Sequence, residues 1–257
     1  MVADTATSLR RGLRVLEALD SEEARAAGGL GVLRLAELLG QDKSQISRTL
    51  KTLDEHGFVD RDPATRAYRL GWLLHGLAAR AGDAALVAAG EPVVRGLARE
   101  LGERAHLSVL RGAEVLTVAS ESSARPLEAV AAVGSTAPAY CTSAGYALLV
   151  DDDADERLAG VELVVRAPNT PRTLAAVAER VAAARRRGFA VAAEDYEPGL
   201  TAVAAPVRDA RGRVVAAANV SGPSFRLAHR IDEAGAAVAE AAARITATLE
   251  GRVRRCS

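Results

Sequence analysis

The segment from residue 33 to residue 70 constrains the fold of this chain more than any other. A helix predicted over residues 33–39 is broken by Gly40-Gln41-Asp42, and a second helix is predicted to begin near Lys43. The buried side of this second helix carries apolar residues at three- and four-residue steps, namely Ile46, Leu50 and Leu53. Two helices joined by so tight a turn are typical of a helix-turn-helix motif.

One amphipathic helix is predicted upstream of this segment. It begins at Ser8, its expected N-cap, and ends near Leu19. Its apolar face is predicted to carry leucines at three- and four-residue steps, with Val15 beside them, namely Leu9, Leu13, Leu16 and Leu19. The small and charged residues from Asp20 to Gly31 are predicted to form a loop.

Two short extended runs follow the pair of helices. They cover residues 58–61 and 67–70, and the proline and polar residues of Asp62-Pro63-Ala64-Thr65 between them favour a hairpin turn. Three helices and a two-stranded ribbon in this order predict a winged helix-turn-helix domain over residues 1–70.

The helix that begins near Lys43 exposes residue types that bind DNA. It carries both lysines of the chain, Lys43 and Lys51, together with Arg48. Arg and Gln can form paired hydrogen bonds with guanine and adenine edges in the major groove, while Ser, Thr and Lys bind phosphates. An ordinary solvated helix face is the alternative, but the complete order of helices and ribbon favours double-stranded operator DNA as the partner. The predicted contacts are Lys43, Ser44, Gln45, Ser47, Arg48, Thr49, Lys51, Arg61, Arg66 and Arg69.

Composition limits the classes of function. The formal net charge is zero, with 33 basic and 33 acidic residues, so no global basic field attracts nucleic acid or a membrane, and any DNA contact must be local. Aromatic residues make up only 3% of the chain, too few for the stacked platforms that bind single strands. The longest charge-free stretch, residues 129–150, contains Gly134, Ser135 and Pro138, so we expect no membrane-spanning helix.

Cysteine and histidine usage indicates a cytoplasmic protein without a metal site. Cys141 and Cys256 lie far apart, which matches reduced thiols better than a disulfide framework. The N-terminus lacks the apolar core of a signal peptide. The histidines, namely His56, His75, His106 and His229, never fall at metal-ligand spacing. We therefore expect no metal and no other cofactor.

The remaining residues predict a second domain that mixes helices and strands. Residues 71–101 predict two helices, interrupted near Gly82-Asp83 and Gly90-Glu91-Pro92, and the first is a linker helix over residues 71–84. Strands are predicted at 106–110, 114–119, 127–133, 190–193, 201–207 and 214–220, and helices at 142–150, 174–187 and 231–249. The length of 257 residues allows two domains, the second over residues 85–257.

Short motifs are distributed over nearly the whole chain, from about residue 8 to residue 250. They are Leu35-Ala36-Glu37-Leu38-Leu39-Gly40, Lys43-Ser44-Gln45-Ile46-Ser47-Arg48, Gly57-Phe58-Val59, Tyr140-Cys141-Thr142-Ser143-Ala144-Gly145, Arg187-Gly188-Phe189-Ala190-Val191, Glu197-Pro198-Gly199-Leu200 and Val220-Ser221-Gly222-Pro223. In this order they resemble the IclR family of bacterial transcriptional regulators. The resemblance implies an α+β fold: an N-terminal winged helix-turn-helix, a linker helix and a C-terminal GAF-like domain whose antiparallel sheet is flanked by helices. It also implies a small-molecule effector and a homodimer or homotetramer.

The resemblance further implies where the effector binds. In the family the effector lies between the sheet and the loops ahead of a pocket helix. These places correspond here to Leu127, Val130, Tyr140, Thr142, Ser143 and Ala144, with Asn219 and Ser221 on a late strand. Because Asn219 and Ser221 are two residues apart on one strand, their side chains are expected on the same face.

Three positions depart from the relatives that bind small carboxylates. Ala192 stands where these carry an acidic residue, Ala202 where they carry a polar thiol, and Tyr146 where they carry a lysine. Each change removes a polar or charged group, so we expect a more apolar, roomier pocket and a partly apolar effector larger than a short acid. Glu194 or Asp195 could supply an acid, but consecutive strand residues point to opposite faces, so only one can.

The expected function is a ligand-responsive, DNA-binding regulator of nearby bacterial genes, with repression and activation both open, and not an enzyme. The alternative is a small-molecule-binding enzyme of GAF-like fold whose winged domain serves protein interaction. Cys141 or Ser143 would then be the nucleophile. No histidine lies near either in sequence and no Gly-x-Ser-x-Gly motif surrounds them, although His106 could approach in space.

Overall fold

The computed structural model describes residues 2–78, 84–122 and 133–256. The chain divides into two compact units, Met1–Ala84 and Ala85–Ser257. Over its described residues, the first unit consists of α1 (Val2–Leu19), α2 (Glu22–Ala27), α3 (Val32–Leu39), α4 (Lys43–Glu55), β1 (Val59–Arg61), β2 (Tyr68–Leu70) and α5 (Trp72–Ala78). The two strands pair antiparallel, and the predicted winged helix-turn-helix is confirmed.

Helices α1, α3 and α4 pack around a shared apolar core. Val15 of α1, Leu35 of α3 and Ile46 of α4 are completely buried, and Tyr68 of the ribbon closes this core. Burial of apolar surface stabilises such a cluster by about 25 cal/mol per Å². The ribbon and the helix pair are therefore parts of one packed unit.

Only one side of the apolar face predicted for α1 is buried. Leu9 and Leu13 are 66% and 52% exposed, whereas Val15 and Leu19 are buried. Successive residues of a helix are about 100° apart, so the Leu9–Leu13 stripe lies on another side of α1 than the Val15–Leu19 stripe, and packing selects the second. Helix α1 also begins at Val2, so Ser8 lies inside it and is not its N-cap.

The predicted loop over residues 20–31 contains the short helix α2. Its N-cap Ser21 accepts a hydrogen bond from the backbone N–H of Ala24 at 3.2 Å, and Gly28 ends the helix with a left-handed φ of 70°. Ala24 is buried in the core. Six residues are too few to show hydrophobic periodicity, but the serine and glycine caps were visible in the sequence.

Helix α4 ends at a glycine turn. His56 is its C-cap, and Gly57 adopts a left-handed φ of 75°. The N–H of Phe58 then donates to the carbonyl of Leu53 at 2.8 Å, which turns the chain toward β1. A glycine at this position permits the reversal without strain on a Cβ atom.

The second unit is built on a six-stranded antiparallel sheet with the order β5-β4-β3-β8-β7-β6. Its described strands are β3 (Arg104–Arg111), β4 (Glu114–Glu121), β5 (Thr136–Pro138), β6 (Ala190–Ala193), β7 (Leu200–Arg208) and β8 (Val214–Pro223). Its described helices are α6 (Ala84–Leu101), α7 (Ser143–Leu148), α8 (Ala154–Arg157), α9 (Leu174–Arg187), α10 (Ser224–Leu227) and α11 (Ile231–Cys256). The α+β fold predicted from the sequence is confirmed.

One predicted boundary in this unit was wrong, and one predicted strand lies mainly outside the described residues. Gly90-Glu91-Pro92 does not interrupt α6, because Pro92 lies on the exposed side of the helix, where water can replace the missing backbone hydrogen bond. The strand predicted at 127–133 falls mainly outside the described residues, and Val133 lies in a turn. On the side of β4 away from β3, the paired strand is β5, with Ala137 opposite Val115.

Helices cover both faces of the sheet. Leu107 and Val203 point toward α6 and α11, whereas Ala204 and Ala217 point toward α7 and α9. Because side chains alternate along a strand, the residues one position from Leu107 point toward α7. None of the helices formed by the described residues combines the length and apolar composition needed to cross a membrane.

Candidate functional site

Helix α4 displays most of the residues predicted to contact DNA. The exposed ones are Lys43, Ser44, Ser47, Arg48 and Lys51, and the half-buried ones are Gln45 and Thr49. The hydroxyl of Thr49 donates to the carbonyl of Gln45 at 3.0 Å, and Arg48 Nε donates to the carbonyl of Ser44 at 3.3 Å. These weak local contacts leave the guanidinium of Arg48 on the exposed surface, where a partner can compete for it.

The ribbon presents three exposed arginines close to α4 in sequence. The guanidinium of Arg61 lies 5.5 Å from the centre of the Tyr68 ring, and Arg69 Nε lies 4.0 Å from a carboxylate oxygen of Asp60. Arg66 is exposed in the loop between the strands. Helix α4 and the ribbon therefore both present exposed cationic side chains.

Asp62 fixes the loop that carries Arg66. Its Oδ1 accepts hydrogen bonds from the backbone N–H groups of Ala64 at 2.9 Å and Thr65 at 2.7 Å, and from the Thr65 hydroxyl at 3.0 Å. These bonds, above all the one from the Thr65 backbone, lower the pKa of Asp62. Arg66 has a left-handed φ of 61°, a conformation that persists only where the surrounding structure enforces it.

In the second unit, the described residues enclose a cavity of about 170 Å³ between the sheet and the start of α7. Thr142 is the N-cap of α7, and its hydroxyl oxygen accepts a hydrogen bond from the N–H of Gly145 at 3.2 Å. Seven residues predicted to bind the effector line this cavity: Thr142, Ser143, Ala144, Ala192, Ala202, Asn219 and Ser221. Ala192 and Ala202 are direct partners across β6 and β7.

The other three predicted effector residues are placed differently. Tyr140 does not line the cavity; its buried hydroxyl donates to the carbonyl of Val164 at 2.8 Å. Leu127 and Val130 lie outside the described residues. The sequence motif therefore located the turn before α7 correctly, but it did not show which way Tyr140 points.

Tyr146 does not contribute to the cavity either, so its predicted effect on the polarity of the pocket was wrong. It is completely buried, and its hydroxyl donates to Asp195 Oδ2 at 2.7 Å. The N–H of Ala193 donates to Asp195 Oδ1 at 3.2 Å, and Arg180 Nε lies 3.3 Å from Oδ2. Burial raises the pKa of Asp195, and these donors and the arginine charge act against that rise.

The acidic side chain at the cavity belongs to Glu197, and not to Glu194 or Asp195 as expected. Neither lines the cavity: Asp195 is held by Tyr146, and Glu194 has a left-handed φ of 59° at the end of β6. Glu197, in the turn between β6 and β7, lines the cavity and is exposed.

Sequence reasoning also missed the polar residues that β3 adds to the cavity. His106 and Ser108 both line it and are buried. His106 Nε2 lies 3.2 Å from Ser221 Oγ, and the Ser108 hydroxyl donates to Asn219 Oδ1 at 3.1 Å. The alternation His106-Leu107-Ser108 was a usable signal, because it puts two polar side chains on one face of a strand.

The chemistry of the site does not indicate an activated nucleophile. Burial raises the pKa of Cys141 to about 12, so its thiol stays neutral at physiological pH. His106 contacts Ser221 rather than Ser143. Among the described residues, no group of three or more His, Cys, Asp or Glu side chains could hold a metal ion. The cavity is lined by both polar and apolar side chains.

Sequence comparison places these two units in known domains. Residues 8–63 match the IclR helix-turn-helix domain, and residues 79–247 match the C-terminal domain of the bacterial transcriptional regulator IclR. The chain is 34% identical to the glycerol operon regulatory protein of Streptomyces griseus, over 86% of each chain. It is 31% identical to the Pca regulon regulatory protein of Pseudomonas putida, over 85% of this chain and 75% of that protein.

Solved structures show the same likeness. An IclR homologue from Microbacterium hydrocarbonoxydans, solved in complex with 4-hydroxybenzoate, superposes with a TM-score of 0.80 at 25% identity, over 95% of this chain and 99% of the other. The chain belongs to the IclR family of ligand-responsive bacterial transcriptional regulators.

Proposed function

We propose that this protein binds a roughly twofold-symmetric operator as a homodimer or homotetramer, and that a small molecule in the cavity changes its affinity for that DNA. The observation that carries the proposal is the cluster of exposed cationic residues on α4 and the ribbon of a chain whose net charge is zero. Since bacterial operator DNA lies in the cytoplasm, we infer that the protein acts there. We assign it no enzymatic role.

In this proposal, two residues of α4 contact base edges, and the other residues of α4 and those of the ribbon contact phosphates. Arg48 and Gln45 carry the side-chain groups that form paired hydrogen bonds with base edges, and they would do so when α4 enters the major groove. Phosphates would be bound by Lys43, Ser44, Ser47, Thr49 and Lys51, and by Arg61, Arg66 and Arg69 of the ribbon.

Arg48→Ala and Lys51→Ala are expected to weaken DNA binding in different ways. Loss of a base contact by Arg48 would weaken the free energy of DNA binding by about 1–3 kcal/mol and relax the preference for the operator sequence. Loss of a phosphate contact by Lys51 would mainly reduce the slope of log affinity against log salt concentration, by about one unit. Fluorescence anisotropy with DNA flanking the gene and with random DNA, over a range of salt concentrations, measures both effects.

Arg99→Ala supplies the control for this pair. Arg99 is an exposed residue of α6 in the second unit, so its loss removes one positive charge without touching α4. Its binding curves should overlay those of the unchanged protein. If Arg48→Ala lowered affinity for flanking and random DNA by the same factor, Arg48 would be a phosphate contact and its base-reading role would be refuted.

The proposed dimer follows from the geometry of a twofold operator. Its half-sites lie about 34 Å apart, and one chain carries one α4, so two chains are required. Helix α5 exposes Trp72, Leu73 and Leu77, and the indole of Trp72 is 77% exposed. Apolar side chains so exposed on one short helix favour a contact with the same helix of a second copy.

Light scattering at micromolar concentration is expected to give a mass of two or four chains in the absence of DNA. Trp72→Glu would place a charge in the proposed contact and lower the association constant at least about tenfold, since burying an unpaired charge is costly. Trp72→Phe keeps an apolar ring and should preserve the assembly. A monomeric mass for the unchanged protein, with or without operator DNA, would refute the proposal.

The mixed lining of the cavity supports a partly apolar effector. Val115, Leu200, Ala192 and Ala202 supply apolar surface beside the polar residues of β3 and β8. An effector that prefers one arrangement of the assembled second units would change operator affinity about 5- to 150-fold, the range that couplings of about 1–3 kcal/mol produce. Helix α5 lies in the chain between the ribbon and the second unit. A rearrangement of the second units on effector binding would therefore be transmitted to the DNA-binding helices through α5.

A further inference from the structure

A second cavity lies at one edge of the sheet of the second unit, between α9 and β6. Its volume is about 390 Å³, within the range of about 300–1,000 Å³ that is usual for small-molecule sites. Strand β6 is the last strand of the sheet, so no other strand of the described residues pairs with its outer side. We call this space the edge cavity, and the residues that define it are Arg180, Arg187, Phe189, Val191, Ala193 and Asp195.

The edge cavity is separate from the cavity proposed to bind the effector. Val191 and Ala193 line the edge cavity, whereas Ala192, between them on β6, lines the effector cavity. Because side chains alternate along a strand, the two cavities lie on different sides of β6. None of the described residues lines both. A ligand of the edge cavity would therefore bind in addition to an effector, and not in its place.

Two arginines of α9 supply positive charge to the edge cavity. Arg180 and Arg187 are seven residues apart, close to two helical turns, so both side chains leave the same side of α9. Each side chain is 47% exposed, so a ligand can reach it. The residues of α9 that line the cavity between them, Ala183 and Ala184, have small side chains that leave room for a ligand.

Arg180 keeps most of its hydrogen-bond donors for a ligand. Its Nε lies 3.3 Å from Asp195 Oδ2, and this contact uses one of the five N–H donors of the guanidinium. The two oxygens of Asp195 also accept hydrogen bonds from the Tyr146 hydroxyl and from the N–H of Ala193. Asp195 is only 2% exposed. The accessible charge at this end of the edge cavity is therefore positive.

Arg187 has an exposed partner that a ligand can displace. Its Nη2 lies 3.0 Å from Asp232 Oδ1, and Asp232 is 91% exposed, so the ion pair is weak. Its guanidinium also lies 4.8 Å from the centre of the Phe189 ring. Phe189 and Val191 are half-buried, so apolar surface lies directly beside the cation.

We propose that the edge cavity is a second ligand site, and that it binds an organic anion: a carboxylate whose charge is neutralised by Arg180 and Arg187, on an apolar body that packs against Phe189 and Val191. Guanidinium groups match the geometry of a carboxylate, which can accept two parallel hydrogen bonds from one of them. An organic cation would instead meet two exposed positive charges. The volume of the cavity accommodates a body of two rings.

The matched pair 2-naphthoate and 2-naphthalenemethanol tests this proposal, since the two compounds share their rings and differ in charge. Two rings are too large for the effector cavity of about 170 Å³, because a cavity of about 150 Å³ in another protein holds one benzene ring. Calorimetry on the full-length protein should show the acid binding about tenfold more tightly than the alcohol, the product of two exposed ion pairs of about threefold each.

Variants of α9 assign this preference to the two arginines. Arg187→Gln should lower the preference for the acid to about threefold, and Arg180→Gln together with Arg187→Gln should abolish it. Arg186→Gln is the control, because Arg186 is an exposed neighbour on the same helix that does not line the edge cavity. It removes the same charge and should preserve the preference.

Asp232→Asn gives a gain of affinity, which a misfolded variant cannot produce. Removal of the carboxylate that competes for Arg187 should strengthen 2-naphthoate binding about two- to fivefold. Glu233→Gln is the control for the loss of a negative charge, because Glu233 is the next residue and pairs with Arg230 instead.

Four results would overturn the inference: no binding of 2-naphthoate, equal binding of the acid and the alcohol, a preference that survives the loss of both arginines, or no gain in Asp232→Asn beyond that in Glu233→Gln. None of these measurements involves DNA. Their failure would therefore leave the proposed function in place, and a failure to bind operator DNA would leave this inference in place.

Discussion

Gly145→Ala is expected to destabilise the second unit by at least about 3 kcal/mol. A β-carbon at this position would lie 2.5 Å from the Cα atom and 2.6 Å from the carbonyl carbon of Ala139, and closer still to the carbonyl oxygen. These are backbone atoms of a completely buried turn, so they cannot rotate away as a side chain would. Urea denaturation followed by circular dichroism measures the loss.

The chain offers two internal controls for this experiment. Gly96→Ala changes another helical glycine, exposed on α6 with no atom within 4 Å of the added β-carbon, and should stabilise the protein by about 0.5–1 kcal/mol. The one tryptophan, Trp72, belongs to the first unit, so its fluorescence should report an unchanged transition there. A Gly145→Ala protein as stable as the unchanged one would show that the turn before α7 is not packed as described.

The second large effect is acid destabilisation caused by His106. Its pKa is about 4 in the folded protein and about 6.5 when unfolded, so the unfolded chain binds more protons between these values. The free energy of unfolding therefore falls as the pH drops below about 6.5, by about 2 kcal/mol at pH 5 and about 3 kcal/mol once the pH is below the folded pKa. Denaturation at a series of pH values measures this slope.

His106→Gln isolates the contribution of the imidazole, because glutamine is polar and does not titrate. Asp195 acts in the opposite direction: its raised pKa lets the folded protein take up a proton, which favours folding as the pH falls. This second contribution is present in both proteins and cancels in the comparison. Equal losses of stability between pH 7 and pH 5 in the two proteins would mean that His106 is not buried in a neutral form.

Local patterns predicted the elements that carry the DNA-binding face. Apolar spacing around Ile46 and Leu50 placed α4, and the proline and polar residues after Arg61 placed the turn of the ribbon. The residue after the α4 C-cap, Gly57, adopts the left-handed conformation that favours glycine at a helix end. These features depend on neighbours in the sequence, so the sequence was sufficient to predict them.

Features decided by distant contacts could not be predicted in the same way. Tyr146 points to Asp195, which lies 49 residues later in the chain, and this contact removes it from the cavity. His106 meets Ser221 across paired strands, 115 residues apart. The sequence showed which strand positions share a face, but the pairing of β3 with β8 brings these particular side chains together.

The same limit explains the errors at the helices. Val15, rather than the Leu9 stripe, enters the core of the first unit, because the position of α3 and α4 decides which side of α1 is buried. Pro92 is tolerated inside α6 because that turn of the helix faces outward. In each case tertiary packing, and not local helix propensity, determines which side of the helix is buried and whether the helix continues.

The most direct test of the account is a titration of DNA flanking the gene with the full-length protein, beside random DNA, at physiological salt. We expect the flanking DNA to bind at least about 10³-fold more tightly than random DNA. Repeated with each compound that raises the melting temperature of the protein, the titration should reveal one that changes this affinity about 5- to 150-fold. Equal affinity for both DNAs, unchanged by every compound that binds, would contradict the assignment of this chain as a ligand-responsive, operator-binding protein.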